Sequence, residues 1–157
     1  MVKPQTISMR QVTPEDEAFL LELYASTRAD VQAWECSNEE KDAFLEMQYR
    51  IQEQFFQSQY PNADQSVIQN GEKRMGRLYT AEDGKEIRIL DITLLQEYRC
   101  SGIGSSVIGR VLEKAKKVRL PVRLMVERFN RARSLYERLG FQIIEDAGTH
   151  YLIEWTP

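Results

Sequence analysis

The sequence predicts an α+β fold, a mixed and mostly antiparallel sheet with flanking helices, and three observations carry that reading. Short alternating or β-branched runs recur along the 157 residues. Stretches of helical apolar periodicity separate several of them, and Gly, Pro, Asn and Asp punctuate the boundaries. With 42% hydrophobic and 29% charged residues, the whole chain, residues 1–157, is expected to form a single domain with a core of its own.

The elements follow in order. "TISMRQV", Thr6 to Val12, alternates as a short strand. Thr13-Pro14-Glu15-Asp16 then starts a helix, with a capping threonine, proline at the first helical position and acids facing the helix dipole. This helix should turn Phe19, Leu20, Leu23 and Tyr24 inward. Ser37 and Glu40 have capping-box spacing and open a long helix whose apolar repeat runs through Phe44, Met47, Ile51 and Phe55 toward Tyr60 and Pro61. "QSVIQ" and "RMGRLYT", joined by "NGEK", read as a hairpin, because Asn-Gly readily takes positive φ. "AEDGK" turns the chain again into "EIRILDITLL", β-branched and apolar enough for a central strand. From Ile103 the positions Val107, Ile108, Val111, Leu112, Ala115 and Val118 mark a helix that Pro121 ends. "VRLMV" is another strand, "NRARSLYERLG" a short helix closed by Gly140, and "FQIIED" with "HYLIEW" a terminal strand pair around Gly148.

Composition excludes several classes of function. The polar start "MVKPQTISMRQ" lacks the apolar core of a secretory signal, and no run of about 18 apolar residues is present to span a bilayer, so a cytoplasmic chain without a membrane partner is expected. Cys36 and Cys100 are the two cysteines, far apart and without C-x-x-C spacing or a histidine cluster, and read as free thiols rather than a disulfide or zinc ligands. A net charge of −3 argues against a nucleic-acid partner, whose affinity would rest on lysine and arginine neutralising phosphates.

The informative stretch is "YRCSGIGSSV", Tyr98 to Val107, between the central strand and the next helix. A helix start offers unpaired backbone N–H groups and about half a positive charge, and glycines let an anion, most often phosphate, sit against them. Gly102 and Gly104 clear that approach; Arg99 faces the anion or fixes the loop; Ser101, Ser105 and Ser106 add hydroxyls. By spacing alone, a tight strand-to-helix connection with no ligand stands equal to this. A P-loop is excluded because serines, not lysine, follow Gly104, and Val107 stands where a dinucleotide fingerprint needs glycine or alanine.

The pattern that remains, [R/Q]-x-x-G-x-[G/A], fits Arg99-Cys100-Ser101-Gly102-Ile103-Gly104. Downstream, "VERFNRARSLYERLGF" fits N-x-A-x-x-L-Y-x-x-x-G-F at Asn130, Ala132, Leu135, Tyr136, Gly140 and Phe141. With both motifs in order, the chain resembles the GNAT superfamily of N-acetyltransferases, strongly from about Arg74 to Trp155 and only in element order before that. The resemblance implies an acyl-CoA N-acyltransferase fold with splayed central strands, here "ITLL" and "RLMVE". It implies acetyl-CoA as co-substrate, no metal, and transfer of acetyl to a primary amine of a small molecule or peptide by direct attack in a ternary complex. Arg99, Cys100, Ser101, Gly102, Ile103, Gly104 and Ser105 would hold the pyrophosphate, and backbone around Leu94 and Leu95 the pantetheine arm. Asn130 would lie near that arm, with a plain helix cap as the equal alternative.

Tyr136 falls at the family's catalytic tyrosine; spacing alone would place it in the core, beside Leu135 and Leu139. A phenol of pKa near 10 beside the sulfur can protonate the departing thiolate. Asp91 and Glu127 are the candidate bases on the flanking strands, and the choice stays open, since alternation can turn Asp91 away from Leu94. His150, on a terminal strand, reads as structural or exposed. The sequence departs from the family at Cys100, commonly glycine, and Ser101, commonly basic; Arg131, Arg133 or Lys114 would supply the missing charge. Trp34, Phe44, Tyr49, Phe55, Phe56 and Tyr60 form either an acceptor wall or core. The acids of "WECSNEEKD" lean toward a cationic acceptor. A homodimer is left open, and the rival reading is a non-catalytic acyl-CoA-binding sensor or interaction module.

Overall fold

The computed structural model describes residues 6–157; the first five residues, part of the polar start read above, lie outside the described residues. The strands are β1 Ile7–Gln11, β2 Asp64–Asn70, β3 Lys73–Glu82, β4 Ile87–Leu94, β5 Val122–Glu127, β6 Gln142–Asp146 and β7 His150–Trp155. The helices are α1 Glu17–Ala25, α2 Ala29–Gln32, α3 Asn38–Gln59, α4 Ile103–Val118 and α5 Arg133–Arg138. Among the described residues the strands form one seven-stranded sheet in the order β1-β2-β3-β4-β5-β7-β6. Every neighbouring pair is antiparallel except β4 and β5, which are parallel and joined through α4.

The expected elements all form, with local corrections. The Thr13 start is a 3₁₀ turn, Pro14–Asp16, that feeds α1, while the unexpected α2 is a single turn before α3. The Asp16 carboxylate receives the Thr13 N–H at 2.8 Å, Arg10 at 2.7 and 2.8 Å, and Arg74 at 2.9 Å. It is wholly buried, and it ties β1, the entry to α1 and the start of β3 to one charged centre. Ser37 caps α3 by accepting the Glu40 N–H at 3.1 Å, as its spacing predicts. The apolar repeat of α3, however, is not its buried face. Leu45, Tyr49 and Phe56 are buried, whereas Met47, Ile51 and Phe55 lie at 50%, 54% and 57% exposure. Apolar residues run around much of this helix, so periodicity alone could not say which stripe meets the sheet.

Two apolar clusters result. One joins the sheet to α4 and α5 and includes Ile68, Leu78, Ile103, Val107, Leu124, Tyr136 and Phe141. The other gathers Phe19, Leu20 and Leu23 of α1 with Tyr49 of α3 and Val67 of β2. The α4 repeat is buried as expected except for Val118, which sits on the last turn, just before Arg119 ends the helix at φ 58°. No helix among the described residues is long and apolar enough to cross a membrane.

The hydrogen bonds from Arg10, and with them those from Thr13 and Arg74, hold the Asp16 carboxyl well below the usual carboxylate range, against the opposing effect of burial. A carboxyl depressed on folding stabilises above its unfolded pKa of about 3.9 and loses that contribution as pH falls below it. Asp16→Asn is therefore expected to cost about 3 kcal/mol at neutral pH by leaving Arg10 and Arg74 without their anion. In urea unfolding followed from pH 7 to pH 2, the gap between wild type and variant should close on the acid side.

Candidate active site

The site begins where the sheet opens. β4 and β5 share two register pairs, Ile87 with Val122 and Arg88 with Arg123. Beyond them β4 stays on β3 as far as Gly76–Leu94, and β5 stays on β7 as far as Glu127–His150. The facing edges of β4 and β5 are thus unpaired over their C-terminal halves. A bulge supplies the bend: Thr80 pairs with Ile89 but Tyr79 with Asp91, leaving Leu90 as the extra residue. Gly76 lets β3 follow, because a Cβ there would stand 2.1 Å from the Thr93 carbonyl oxygen.

The Leu95 N–H donates to the Met75 carbonyl at 2.9 Å, on the β3 side. Backbone polar groups alternate sides along a strand, so Leu94 presents its N–H and C=O to the gap. This corrects the pairing of Leu94 and Leu95 expected from sequence: Leu94 faces the gap, while the Leu95 amide is already bonded. The Leu94 oxygen accepts from Arg99 Nε at 2.9 Å, so the Arg99 side chain braces the gap, and its terminal nitrogens have no partner among the described residues.

The turn itself is built by unusual backbone. Cys100 has φ 58° and Gly102 φ 86°, both left-handed, and α4 starts at Ile103. The Arg99 amide bonds Gln96 O at 3.2 Å, and Ser101 Oγ donates to Tyr98 O at 2.6 Å, so neither group points outward. The amides of Cys100, Ser101, Gly102, Ile103, Gly104 and Ser105 donate to no acceptor among the described residues. A Cβ on Gly102 would meet no atom within 4 Å, and one on Gly104 only Leu135 at 3.8 Å, so the space outside the turn is open to a ligand. Unpaired amides at the positive end of a 16-residue helix fit a diphosphate. An open depression of about 500 Å³ runs along α4 between Ser106, Gly109, Arg110, Glu113, Lys114 and Lys117, and meets the turn at Ser106. Tyr136 is not among its walls.

Tyr136, on α5, is 5% exposed and meets Phe141 edge-on, with ring centroids 5.7 Å apart. Its hydroxyl has no partner among the described residues, yet no fully buried side-chain oxygen there lacks one, so the hydroxyl reaches open space. Burial, and then the charge of Asp91, push the phenol up to about 12. The loop before α5 is pinned by contacts that no spacing in the sequence signals. Arg128 bonds Asp146 at 2.6 and 2.8 Å, Tyr151 Oη at 2.5 Å and Gly148 O at 2.8 Å. The guanidinium groups of Arg128 and Arg133 lie 4.6 and 4.7 Å from the Tyr151 ring. Asn130 Oδ1 accepts the Ala132 N–H at 2.8 Å, the capping alternative, which leaves its amide NH₂ for other contacts. Of the residues expected to replace missing charge, Lys114 pairs with Glu82 at 3.5 Å and Arg133 with Glu137 at 3.7 Å, while the Arg131 side chain has no partner among the described residues.

Asp91 is turned away from Leu94, as alternation allows, and lies under α3. It binds Arg77 Nε at 2.5 Å and Thr93 Oγ1 at 2.9 Å. Arg77, 3% exposed, also reaches Glu53 at 2.8 Å and Gln52 at 3.0 Å, and its guanidinium lies 4.1 Å from the centre of the Tyr79 ring. Sequence reasoning missed this network; an arginine between the apolar Met75 and Leu78-Tyr79 of β3 is the signal that it left unused. Glu127 is exposed with no side-chain bond among the described residues, and His150 Nδ1 contacts Thr149 Oγ1 at 2.9 Å.

Residues 28–141 match the family described as Acetyltransferase (GNAT) family. The chain is similar in fold to the PaiA N-acetyltransferase of Thermoplasma acidophilum in complex with coenzyme A, at 21% identity and TM-score 0.72 over 96% of this chain and 99% of that one. It is also similar to Arabidopsis thaliana Naa50 in complex with the bisubstrate analogue CoA-Ac-MVNAL, at 15% identity and TM-score 0.65 over 97% and 99%. A third likeness is the ribosomal-protein-S18-alanine N-acetyltransferase of Escherichia coli, at 14% identity and TM-score 0.67 over 96% and 93%.

Two substitutions test the backbone that shapes the gap and turn. Cys100→Gly removes an L-residue from left-handed backbone and, in urea unfolding, should leave the unfolding free energy level or raise it by up to about 1 kcal/mol, the gain tempered by glycine's looser unfolded state. Gly76→Ala drives a methyl into the Thr93 carbonyl and should cost about 3 kcal/mol in the same measurement.

Proposed function

The chain belongs to the GNAT family of acetyltransferases, and from that premise we propose that it acts as one domain over residues 1–157 to acetylate a primary amine by direct attack in a ternary complex. The observation that carries this reading is the set of unpartnered amides from Cys100 to Ser105, opening beside strands that have parted. The coenzyme complexes of PaiA and Naa50 support the choice of acetyl-CoA, and the peptide part of the Naa50 analogue and the protein alanine in the name of the Escherichia coli enzyme are consistent with an amine acceptor.

Acetyl-CoA, when bound, supplies an activated acyl group: the acceptor nitrogen bonds the carbonyl carbon, the C–S bond breaks, the nitrogen releases a proton and the thiolate takes one up. The chain's own groups prepare for this in three places. Amides of the Cys100–Ser105 turn hold the diphosphate on the positive end of α4. The Leu94 backbone, free of β3, offers its N–H to the arm or to the thioester oxygen. Tyr136 presents a hydroxyl that nothing else engages, and its raised pKa keeps it protonated at any pH at which an amine is free to attack, as a donor to sulfur must be.

Tyr136→Phe is expected to lower kcat for thiol release by about 10²-fold, with coenzyme A affinity by calorimetry unchanged. Because this phenol titrates near 12, wild-type kcat should not fall on the alkaline side below about pH 11. Unchanged kcat in the variant would remove Tyr136 from the mechanism, and a chain that binds coenzyme A but releases no thiol with any amine in a library would be the non-catalytic sensor. Thermal stabilisation by ATP or NAD but not by acetyl-CoA would remove the coenzyme assignment.

A further inference from the structure

Tyr136 is carried by a helix too short to fix its own position. α5 has six residues, and its N-cap, Ala132, makes no side-chain hydrogen bond. A helix of that length is marginal in water, because nucleation fixes several residues for one hydrogen bond. Beyond the Asn130 oxygen on the Ala132 N–H, its hold on the fold comes from tertiary contacts. Apolar packing supplies one part: Tyr136 meets Phe141 edge-on, and Leu135 and Leu139 pack against the same cluster. Such packing is non-directional, so the angle at which α5 leaves the preceding loop needs polar contacts as well.

Arg128 supplies them. It stands one residue past the last β5–β7 pair, Glu127 with His150, and engages both its backbone groups and its whole guanidinium. Its N–H donates to Thr149 O at 3.0 Å, and its carbonyl accepts from Arg133 Nη1 at 2.9 Å. Each guanidinium nitrogen has a different partner: Nε donates to Gly148 O, Nη1 to Tyr151 Oη, and Nη2 to the Asp146 carboxylate. Asp146 is held in turn by the Gly148 N–H at 2.9 Å. Arg133 is the first residue of α5, one helical turn before Tyr136, and its guanidinium stacks 4.7 Å from the centre of the Tyr151 ring. A continuous path of directed contacts thus runs from the β6–β7 hairpin through Arg128 and Arg133 to the helix that carries Tyr136. This knot lies outside the core, with the side chains of Arg128 and Asp146 at 33% and 54% exposure. Ion pairs that open add little to global stability, whereas a planar guanidinium with three differently placed acceptors fixes direction.

We propose that Arg128 is a positioning residue for the transfer reaction: through Arg133 and Tyr151 it sets where α5 holds Tyr136. The inference rests on the acetyl-transfer reading and deepens it, and Arg128 acts in it only through Tyr136. Its loss leaves the fold and the Cys100–Ser105 turn in place and moves the one side chain given a proton to deliver.

The test pairs a measurement that needs no turnover with one that does. In the full chain, hydrogen exchange of peptides covering α5 should speed up by about tenfold in Arg128→Ala while α4 and β3 keep wild-type rates, with circular dichroism and the urea midpoint close to wild type. In the thiol-release assay kcat should fall by about tenfold, less than in Tyr136→Phe, with coenzyme A affinity by calorimetry unchanged. Added to Tyr136→Phe, Arg128→Ala should lower kcat no further, a result that a general loosening of the fold would not give. Arg128→Lys puts one ammonium in place of three separate donors and should rescue neither measurement. Arg133→Met cuts the link to α5 but leaves the hairpin its own bonds; it should reproduce both effects, and it carries the test if Arg128→Ala does not fold. Wild-type exchange and kcat in a folded Arg128→Ala variant, or an undiminished kcat loss in the Tyr136→Phe background, would overturn the proposal. Faster α5 exchange in the variant of a chain that releases no thiol with any amine would leave the positioning of α5 standing and remove the transferase reading instead.

Discussion

The early end of the β4–β5 ladder is the constraint from which the rest of this molecule follows. A parallel pair buried within a sheet normally continues for the length of its strands, because each unpaired N–H or C=O in a dry interior costs free energy. Here two pairs form and then each strand keeps only its outer neighbour. The backbone groups along the opened edges are tolerable only where water or a ligand reaches them. A sheet that parts in its middle therefore describes a cleft, and one with polar main chain on its walls.

Several features separate into causes and consequences of that parting. The bulge at Leu90 and the bare backbone of Gly76 are causes: one bends β4 and the other lets β3 stay in contact with it. The position of the anion-holding turn is a consequence. β4 delivers the chain to Leu95, a 3₁₀ turn and two left-handed residues reverse it, and α4 starts with its amides beside the open edge. Leu94 and Arg99 then close the corner, since a side chain from the turn bonds the Leu94 backbone oxygen, which points into the gap.

The two faces of the sheet meet through this opening. α4 and α5 share one apolar cluster, and α1 and Tyr49 of α3 share the other. Burial first, and then the charge of Asp91 from the α3 side, raise the phenol of Tyr136. The Arg77 network braces the α3 side. Burying a guanidinium is costly unless its donors are met, and here two carboxylates, an amide oxygen and an aromatic face meet them. That arrangement locks α3 to β3 and β4 at the place where the ladder fails.

The sequence by itself determined the elements and the turn. Residues adjacent in the chain carry those signals: the Ser37–Glu40 cap, the α4 repeat from Ile103 to Ala115, and two glycines ahead of a helix. The motif positions were legible for the same reason, since the spacing of Asn130, Tyr136 and Gly140 is local. Tertiary structure alone decided which stripe of α3 is buried, that the Leu95 amide goes to Met75 and the Asn130 oxygen to Ala132, and that Arg77 gathers acids from two other elements. Each of those outcomes depends on which groups distant in the chain compete for one donor or one surface, and the folded arrangement sets that competition, not the order of residues.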